Sequence, residues 1–342
     1  MAESRPPPPP RRGRGAITNQ TGRFEPMTRE RVDDGWDLGD GEPPPRLDTV
    51  VTVERARTII ARNQSPDIGF EQSINPYRGC EHGCVYCYAR PSHAYLGLSP
   101  GLDFETRLTV KANAAEVLER ELRAPGYRPR PIMLGANTDP YQPVERRRGI
   151  TRAVLQVLAA FRHPVMVTTK SALVTRDIDV LGPMGAGRLA SVGISLTTLD
   201  RGLARTLEPR ATTPAGRLDA IRALSEAGVP VTVLASPMIP FINDHELERI
   251  LTAGREAGAV RAAWILIRLP LEVAPLFREW LDAHRPDGAE RVLARIRDSH
   301  GGALYRSRFG ARMTGTGAYA ALLAERFRLA CRRLGLNRLY DG

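Results

Sequence analysis

Tyr77-Arg78-Gly79-Cys80-Glu81-His82-Gly83-Cys84-Val85-Tyr86-Cys87-Tyr88 is the stretch from which the rest of the chain is best read. Three of the four cysteines fall here, spaced C-x3-C-x2-C. Four cysteines are too few to staple 342 residues with disulfides, so clustered thiols point to a metal site in a reducing compartment. Soft thiolates suit an iron–sulfur cluster, and a glycine-containing loop lets several reach one cubane from a short span. Three thiolates cover three irons and leave a fourth open to a substrate-like ligand. Two other readings stay open on spacing alone. A zinc ion would need a fourth ligand, which His82 or His93 could supply. A redox pair at Cys84 and Cys87 has thioredoxin spacing but leaves Cys80 unexplained and lacks a matching βα context.

Downstream of the loop, apolar runs of strand length alternate with amphipathic stretches of helix length. Strands are predicted at 131–135, 164–169, 190–196, 229–235 and 262–269, and an earlier one at 70–77 leads into the cysteines. Helices are predicted between them at 113–123, 145–161, 175–181, 214–227 and 244–257. Such alternation implies parallel βα units. Without a glycine-rich dinucleotide fingerprint after the first strand, six units favour an α/β fold with a partial (βα)6 parallel barrel over a doubly wound sheet. In either architecture ligands gather at the C-terminal ends of the strands. The chain then divides into a disordered Pro/Arg-rich tail at 1–48, a core domain at 49–271, and a helical C-terminal region at 272–342. In that last region the helices at 290–299 and 319–334 cap the barrel.

Composition adds limits. The tail carries too little apolar surface to offset the entropy of ordering. No run reaches the roughly 18–20 apolar residues of a membrane span, and the first residues lack the apolar core of a secretory signal, so a cytoplasmic location is expected. The formal net charge of +11 invites polyanions. Yet Lys111 and Lys170 are the only lysines, so arginine is the default cation and a lysine marks a place suited to a compact ammonium.

The motif C-x3-C-x-aromatic-C resembles the signature of the radical S-adenosylmethionine (SAM) superfamily, with likeness extending over about 70–270. That resemblance implies a partial (βα)6 barrel and a [4Fe–4S] cluster on Cys80, Cys84 and Cys87, with SAM chelating the open iron. It also implies an electron from a one-electron donor such as a flavodoxin or ferredoxin, and a 5′-deoxyadenosyl radical that abstracts hydrogen. By the same likeness Tyr86 lies against the adenine. The turn Asn137-Thr138-Asp139-Pro140 resembles the family's Gly-Gly-Glu-Pro turn, with Asp139 as its acid and Asn137 beside it, although an Asx-turn closing a strand would read the same. Lys170 is placed to pair with the SAM carboxylate. Ser195, Glu208 and Arg210 are candidates for the ribose and carboxylate contacts. Asp244 is expected to cap the helix that follows it.

Tyr86, Tyr88 and the turn ending at Tyr141 resemble, within that superfamily, a bacterial group related to spore photoproduct lyase. This implies radical relay through Tyr86 or Tyr88 and leaves the substrate open between a nucleic acid, with Arg123, Arg128, Arg130 and Arg146, Arg147 and Arg148 as phosphate contacts, and a small molecule or peptide. The chain departs from the group in having no cysteine near 131–141 to donate hydrogen. The remaining thiol, Cys331, reads as a small core residue of a helix.

Overall fold

The computed structural model describes residues 9–28 and 47–338. Its strands are β1 (Val50–Glu54), β2 (Ile60–Arg62), β3 (Gln72–Ile74), β4 (Tyr77–Arg78), β5 (Arg107–Lys111), β6 (Ile132–Leu134), β7 (Val165–Thr169), β8 (Ala190–Ser195), β9 (Val231–Met238) and β10 (Arg261–Leu266). The first six helices are α1 (Leu102–Thr106), α2 (Ala114–Leu122), α3 (Glu145–Arg148), α4 (Ile150–Ala160), α5 (Ile178–Ala186) and α6 (Arg201–Leu207). Then follow α7 (Pro214–Glu226), α8 (Leu247–Glu256), α9 (Val273–His284), α10 (Ala289–Ser299) and α11 (Gly317–Leu334).

Strands β3, β6, β7, β8, β9 and β10 lie side by side, all parallel, and β2 adds an antiparallel edge against β3. Among the described residues β10 and β2 do not pair, so the barrel is open, as the alternating pattern predicted. Val165, Val167, Val192, Ile194, Val231 and Val233 form one core with Leu155, Leu158, Leu181 and Leu224 of the surrounding helices. Each such burial is worth roughly 1.5–3 kcal/mol, so this shared core dominates the stability of the units.

The open side is bridged rather than bare. Beyond α10 the chain returns to β10, where Leu266 N donates to Met313 O (3.0 Å) and Leu269 N donates to Leu304 O (3.3 Å). Arg312 of the same segment pairs with Asp67, on the connection from β2 to β3, at 2.8 Å. Helix α11 packs on α8, where Arg326 meets Glu248 at 2.6 Å.

Several expectations need correction. The helix expected at 145–161 breaks at Gly149, whose φ of 65° ends α3 before α4 begins. The segment 175–181 is a 3-10 turn running into α5. Asp244 caps nothing; it accepts a hydrogen bond from the Tyr319 hydroxyl at 2.6 Å and so holds α11. A second sheet, in the order β1-β5-β4, was not foreseen. It fixes Tyr77 and Arg78 on β5 just before the first cysteine.

The tail is not loose throughout. Positions 1–8 and 29–46 lie outside the described residues, but within 9–28 Ala16 and Ile17 are 1% and 2% exposed. What holds this stretch is hydrogen bonding to buried groups of the core together with a small apolar contact of Ala16, which is why composition misled. Arg14 Nη1, for example, donates to Glu105 O at 3.0 Å.

Candidate active site

The cysteine loop is held by its main chain. Cys80 N donates to Phe104 O (2.8 Å), Val85 N to Leu207 O (3.1 Å), and Arg210 N to His82 O (3.2 Å). Gln142 reaches across twice, accepting from Glu81 N at 2.8 Å and donating to Gly79 O at 3.1 Å. The fully buried Arg90 donates from Nε to Cys84 O at 2.9 Å. Gly79 and Gly83 have φ of 74° and 67°, a region that a side chain makes costly. A Cβ on Gly79 would also stand 2.8 Å from Phe104 O.

So held, Cys80, Cys84 and Cys87 face a single cavity at the C-terminal ends of the parallel strands. Tyr86 and Tyr88 line it with them, together with Asn137 and Asp139 after β6, Lys170 after β7, Ser195 at the end of β8, and Ser236 on β9. The cavity has a volume of about 230 Å³ and is partly open to solvent.

Asp139 is a junction. Its carboxylate accepts from Tyr141 N (2.8 Å), Thr169 Oγ1 (2.7 Å) and Lys170 N (2.7 Å), and meets His82 Nδ1 at 3.2 Å. Burial opposes its charge, yet His82 and these donors hold its pKa below the ordinary value. His82 is therefore already engaged. Asn137 N donates to Asn75 Oδ1 at 2.9 Å, which sets the turn on the strand beside it.

Below the cavity floor lies a buried charge group. Glu208 accepts from Arg217 and from Thr197 Oγ1, and Lys170 Nζ stands 3.2 Å from its Oε1. Burial raises the cost of this carboxylate, but Arg217 and Lys170 hold its pKa well below the usual range. The Tyr86 hydroxyl also donates to Glu208, and Lys170 Nζ lies 5.7 Å from the Tyr86 ring centroid. Lys170 bonds the Ser195 hydroxyl as well. The lysine is thus fixed in position and 16% exposed at the cavity wall.

Two expected contacts lie elsewhere. Glu208 is buried and does not line the cavity. Arg210 does not line it either; it pairs with Glu81 at 3.1 Å behind the cysteine loop. Nor do all the basic residues gather here. Arg128 and Arg130 precede β6, and Arg123 ends α2, so they stand at the opposite end of the strands.

Sequence reasoning missed Arg268, which lines the cavity just beyond β10 and lies 4.5 Å from the Tyr88 ring centroid. The rule that ligands meet strand ends would have found it. It also missed Arg90, Gln142 and Arg217, whose importance comes only from what they touch.

No three of the described His, Cys, Asp and Glu side chains form a set at single-ion spacing. A zinc ion, about 2.3 Å from each sulfur, asks for such a set. Two buried thiols and the half-buried Cys87 around a shared cavity suit an iron–sulfur cubane. Burial pushes the pKa of all three thiols up, with the neighbouring charges of Asp139 adding at Cys80 and Glu208 at Cys84.

A model of the Radical SAM superfamily matches residues 74–253, from β3 into α8. The chain belongs to the radical SAM superfamily. Radical SAM enzymes use a [4Fe–4S] cluster and SAM, and this radical SAM chain is an enzyme of that class. It is 36% identical over 246 residues to Uncharacterized protein Rv2578c of Mycobacterium tuberculosis, covering 70% of this chain and 72% of the relative. It is 28% identical over 178 residues to Uncharacterized protein MJ0683 of Methanocaldococcus jannaschii, covering 52% and 64%. Its fold is similar to that of a spore photoproduct lyase complexed with dinucleoside spore photoproduct. That likeness has a TM-score of 0.60 at 17% identity and covers 84% of this chain and 80% of the lyase. Among the described residues, no helix of this radical SAM enzyme is long and apolar enough to cross a membrane.

Proposed function

We propose that Cys80, Cys84 and Cys87 hold the [4Fe–4S] cluster at this cavity, that SAM binds beside it, and that the enzyme acts on a nucleic acid. The observation that carries the reading is that three thiols and the polar ends of β6, β7, β8 and β9 line one cavity. Bound there, the cofactors would supply reductive cleavage of SAM to a 5′-deoxyadenosyl radical that takes hydrogen from the substrate.

The chain's own residues bind and orient. The turn at Asn137 and Asp139 offers backbone groups to the SAM amino end, stiffened by the carboxylate that ties it to β7. Lys170, held by Glu208 and Ser195, presents a compact ammonium to the SAM carboxylate. Tyr86 offers its ring to the adenine, while its hydroxyl is occupied by Glu208 and Thr197. Tyr88, 45% exposed at the mouth with its hydroxyl donating to Ala136 O, is the more accessible tyrosine for exchanging hydrogen with a substrate radical. Glu208 acts here through Lys170 and Tyr86, and Arg210 through Glu81 and the loop.

A nucleic-acid substrate is supported by the mouth of the cavity. Arg268 stacks on Tyr88 and has no ion-pair partner among the described residues. On the loop after β9, the half-exposed Phe241 ring lies 4.1 Å from the Arg291 guanidinium. Aromatic faces beside unpaired arginines suit bases and phosphates. The spore photoproduct lyase of similar fold is complexed with a dinucleoside. A flavodoxin- or ferredoxin-type donor would supply the electron, and four free thiols suit a reducing cytoplasm.

The test is anaerobic reconstitution with iron and sulfide, then reduction, then SAM. Formation of 5′-deoxyadenosine with a SAM-perturbed [4Fe–4S]⁺ EPR signal supports the reading. Stoichiometric zinc without a cluster would end it.

A further inference from the structure

We propose that residues 13–20 form a strap that is a working part of the cluster site: it clamps the main chain of the cysteine loop in its ligating shape, with Glu105 and Arg90 as positioning residues. The proposal rests on Cys80, Cys84 and Cys87 being cluster ligands. It adds a segment outside the 74–253 span that the superfamily model matches.

The central contact is glycine on glycine. A Cβ built on Gly15 would stand 1.7 Å from Gly83 O and 3.3 Å from Val85 N. The strap backbone therefore lies directly on the loop backbone beside Cys84, and only glycine permits that approach. A Cβ on Gly83 would in turn stand 2.7 Å from Glu105 Oε2 and 3.3 Å from Gly15 N. Both chains leave room for the same carboxylate.

Glu105 joins them. Its Oε2 accepts from Gly15 N at 3.0 Å, and its Oε1 accepts from Ala16 N at 2.8 Å and from Arg90 Nη2 at 2.5 Å. Both ends of this ion pair are 0% exposed. Arg90 carries the connection on to the loop through Cys84 O and grips Pro100 O and Gly101 O at 3.0 and 2.9 Å. Strap, carboxylate, guanidinium and ligand backbone thus make one continuous buried network. Such a network rigidifies when every member is satisfied.

The strap is anchored further along. Asn19 and Asp103 exchange hydrogen bonds, Nδ2 to Oδ1 at 3.0 Å and Asp103 N to Asn19 Oδ1 at 2.9 Å. Thr18 and Gln20 bond Glu279 of α9 at 2.9 and 2.6 Å. Ala16 packs with Leu102 and Leu276. The strap therefore lies between the loop and the C-terminal helices and covers the loop on that side.

Full-length Gly15→Val, Asn19→Ala and Glu105→Gln proteins are reconstituted anaerobically beside wild type. Loss of the cluster's visible absorbance is followed after a ferrous chelator is added. Deuterium exchange at the amides of Gly83, Cys84 and Val85 is measured in the cluster-free proteins. Losing one buried hydrogen bond shifts a local equilibrium on the order of tenfold, so cluster loss and amide exchange should both quicken by about that factor. Should Glu105→Gln fail to fold, Gly15→Val and Asn19→Ala carry the test from the strap alone. Wild-type rates of both processes in the two strap variants would overturn the proposal. A wild-type protein that assembles no cluster would remove the cofactor reading and this proposal with it, whereas a stable cluster in the variants removes only the strap.

Discussion

His82 Nδ1 stands 3.2 Å from Asp139 Oδ2, a buried contact that joins the loop carrying the cysteines to the turn that follows β6, beside the two bonds of Gln142. The same carboxylate organises three further donors from Tyr141, Thr169 and Lys170. Asp139→Ala leaves buried donors without an acceptor, at about 1–3 kcal/mol for each unsatisfied group. The variant should lose at least about 2 kcal/mol in urea unfolding and bind SAM more weakly. An unfolding midpoint equal to that of wild type would mean the turn is held by something else.

Removing a ligand should remove the cluster. Cys80→Ala, Cys84→Ala and Cys87→Ala are each expected to fail to assemble [4Fe–4S], read as iron and sulfide content and as lost EPR signal. Cys331→Ala, far along α11 in the apolar core, should assemble it normally. Full cluster content and 5′-deoxyadenosine formation in Cys80→Ala would overturn the ligand assignment.

Lys170 separates cofactor binding from cluster assembly. Charge-assisted hydrogen bonds contribute about 1.5–3 kcal/mol, so Lys170→Met should weaken SAM affinity roughly 10- to 100-fold. The cluster spectrum should be unchanged. Equal affinity by equilibrium titration would take Lys170 out of the cofactor site and leave it as a support for Glu208.

Arg268 bears on the substrate. If it meets a phosphate, Arg268→Gln should lower the salt dependence of oligonucleotide binding by about one unit on a log–log plot. Cleavage of SAM without substrate should be unaffected. An oligonucleotide affinity indifferent to salt in wild type would argue against nucleic acid altogether.

His93 predicts acid sensitivity. It is 1% exposed, and burial lowers its pKa to about 4, with Asp103 opposing and Arg90 adding to the shift. Its ordinary value is 6.5, so the unfolded chain binds the extra proton first. The neutral side chain's share of stability is complete above pH 6.5 and declines as pH falls toward 4. The full span is on the order of 3 kcal/mol. His93→Phe should flatten stability between those limits, and an unchanged slope by denaturant titration would remove His93 as its source.

The parts legible in the sequence are those whose signal is local. Cysteine spacing marks the loop, and apolar runs such as Val165–Thr169 mark buried parallel strands because both faces of the sheet are covered. Strand β1 was missed because three of its five residues are exposed, leaving no alternation to detect. The break at Gly149 was missed because α3 is the all-charged Glu145–Arg148, which carries no apolar periodicity of its own to set it apart from α4. Asp139, Lys170 and Ser195 were named from their place after strands, and the fold brings all three to the cavity wall. Glu208 was named but given the wrong neighbours, since its pairing with Arg217 crosses from one helix to another. Glu105 was invisible because its partners Gly15, Ala16 and Arg90 are scattered in sequence and joined only by folding.

The bridge from Leu304 to Met313 lies along the edge of β10 that faces away from β9. It is tied to the strand by backbone groups and to the opposite edge by the Arg312–Asp67 pair, with no βα unit depending on its length. Lengthening or shortening this span would alter the cover over the seam while every strand keeps its register. The seam of the open barrel thus rests on a stretch that is neither helix nor strand, and the regular elements on either side need not change with it.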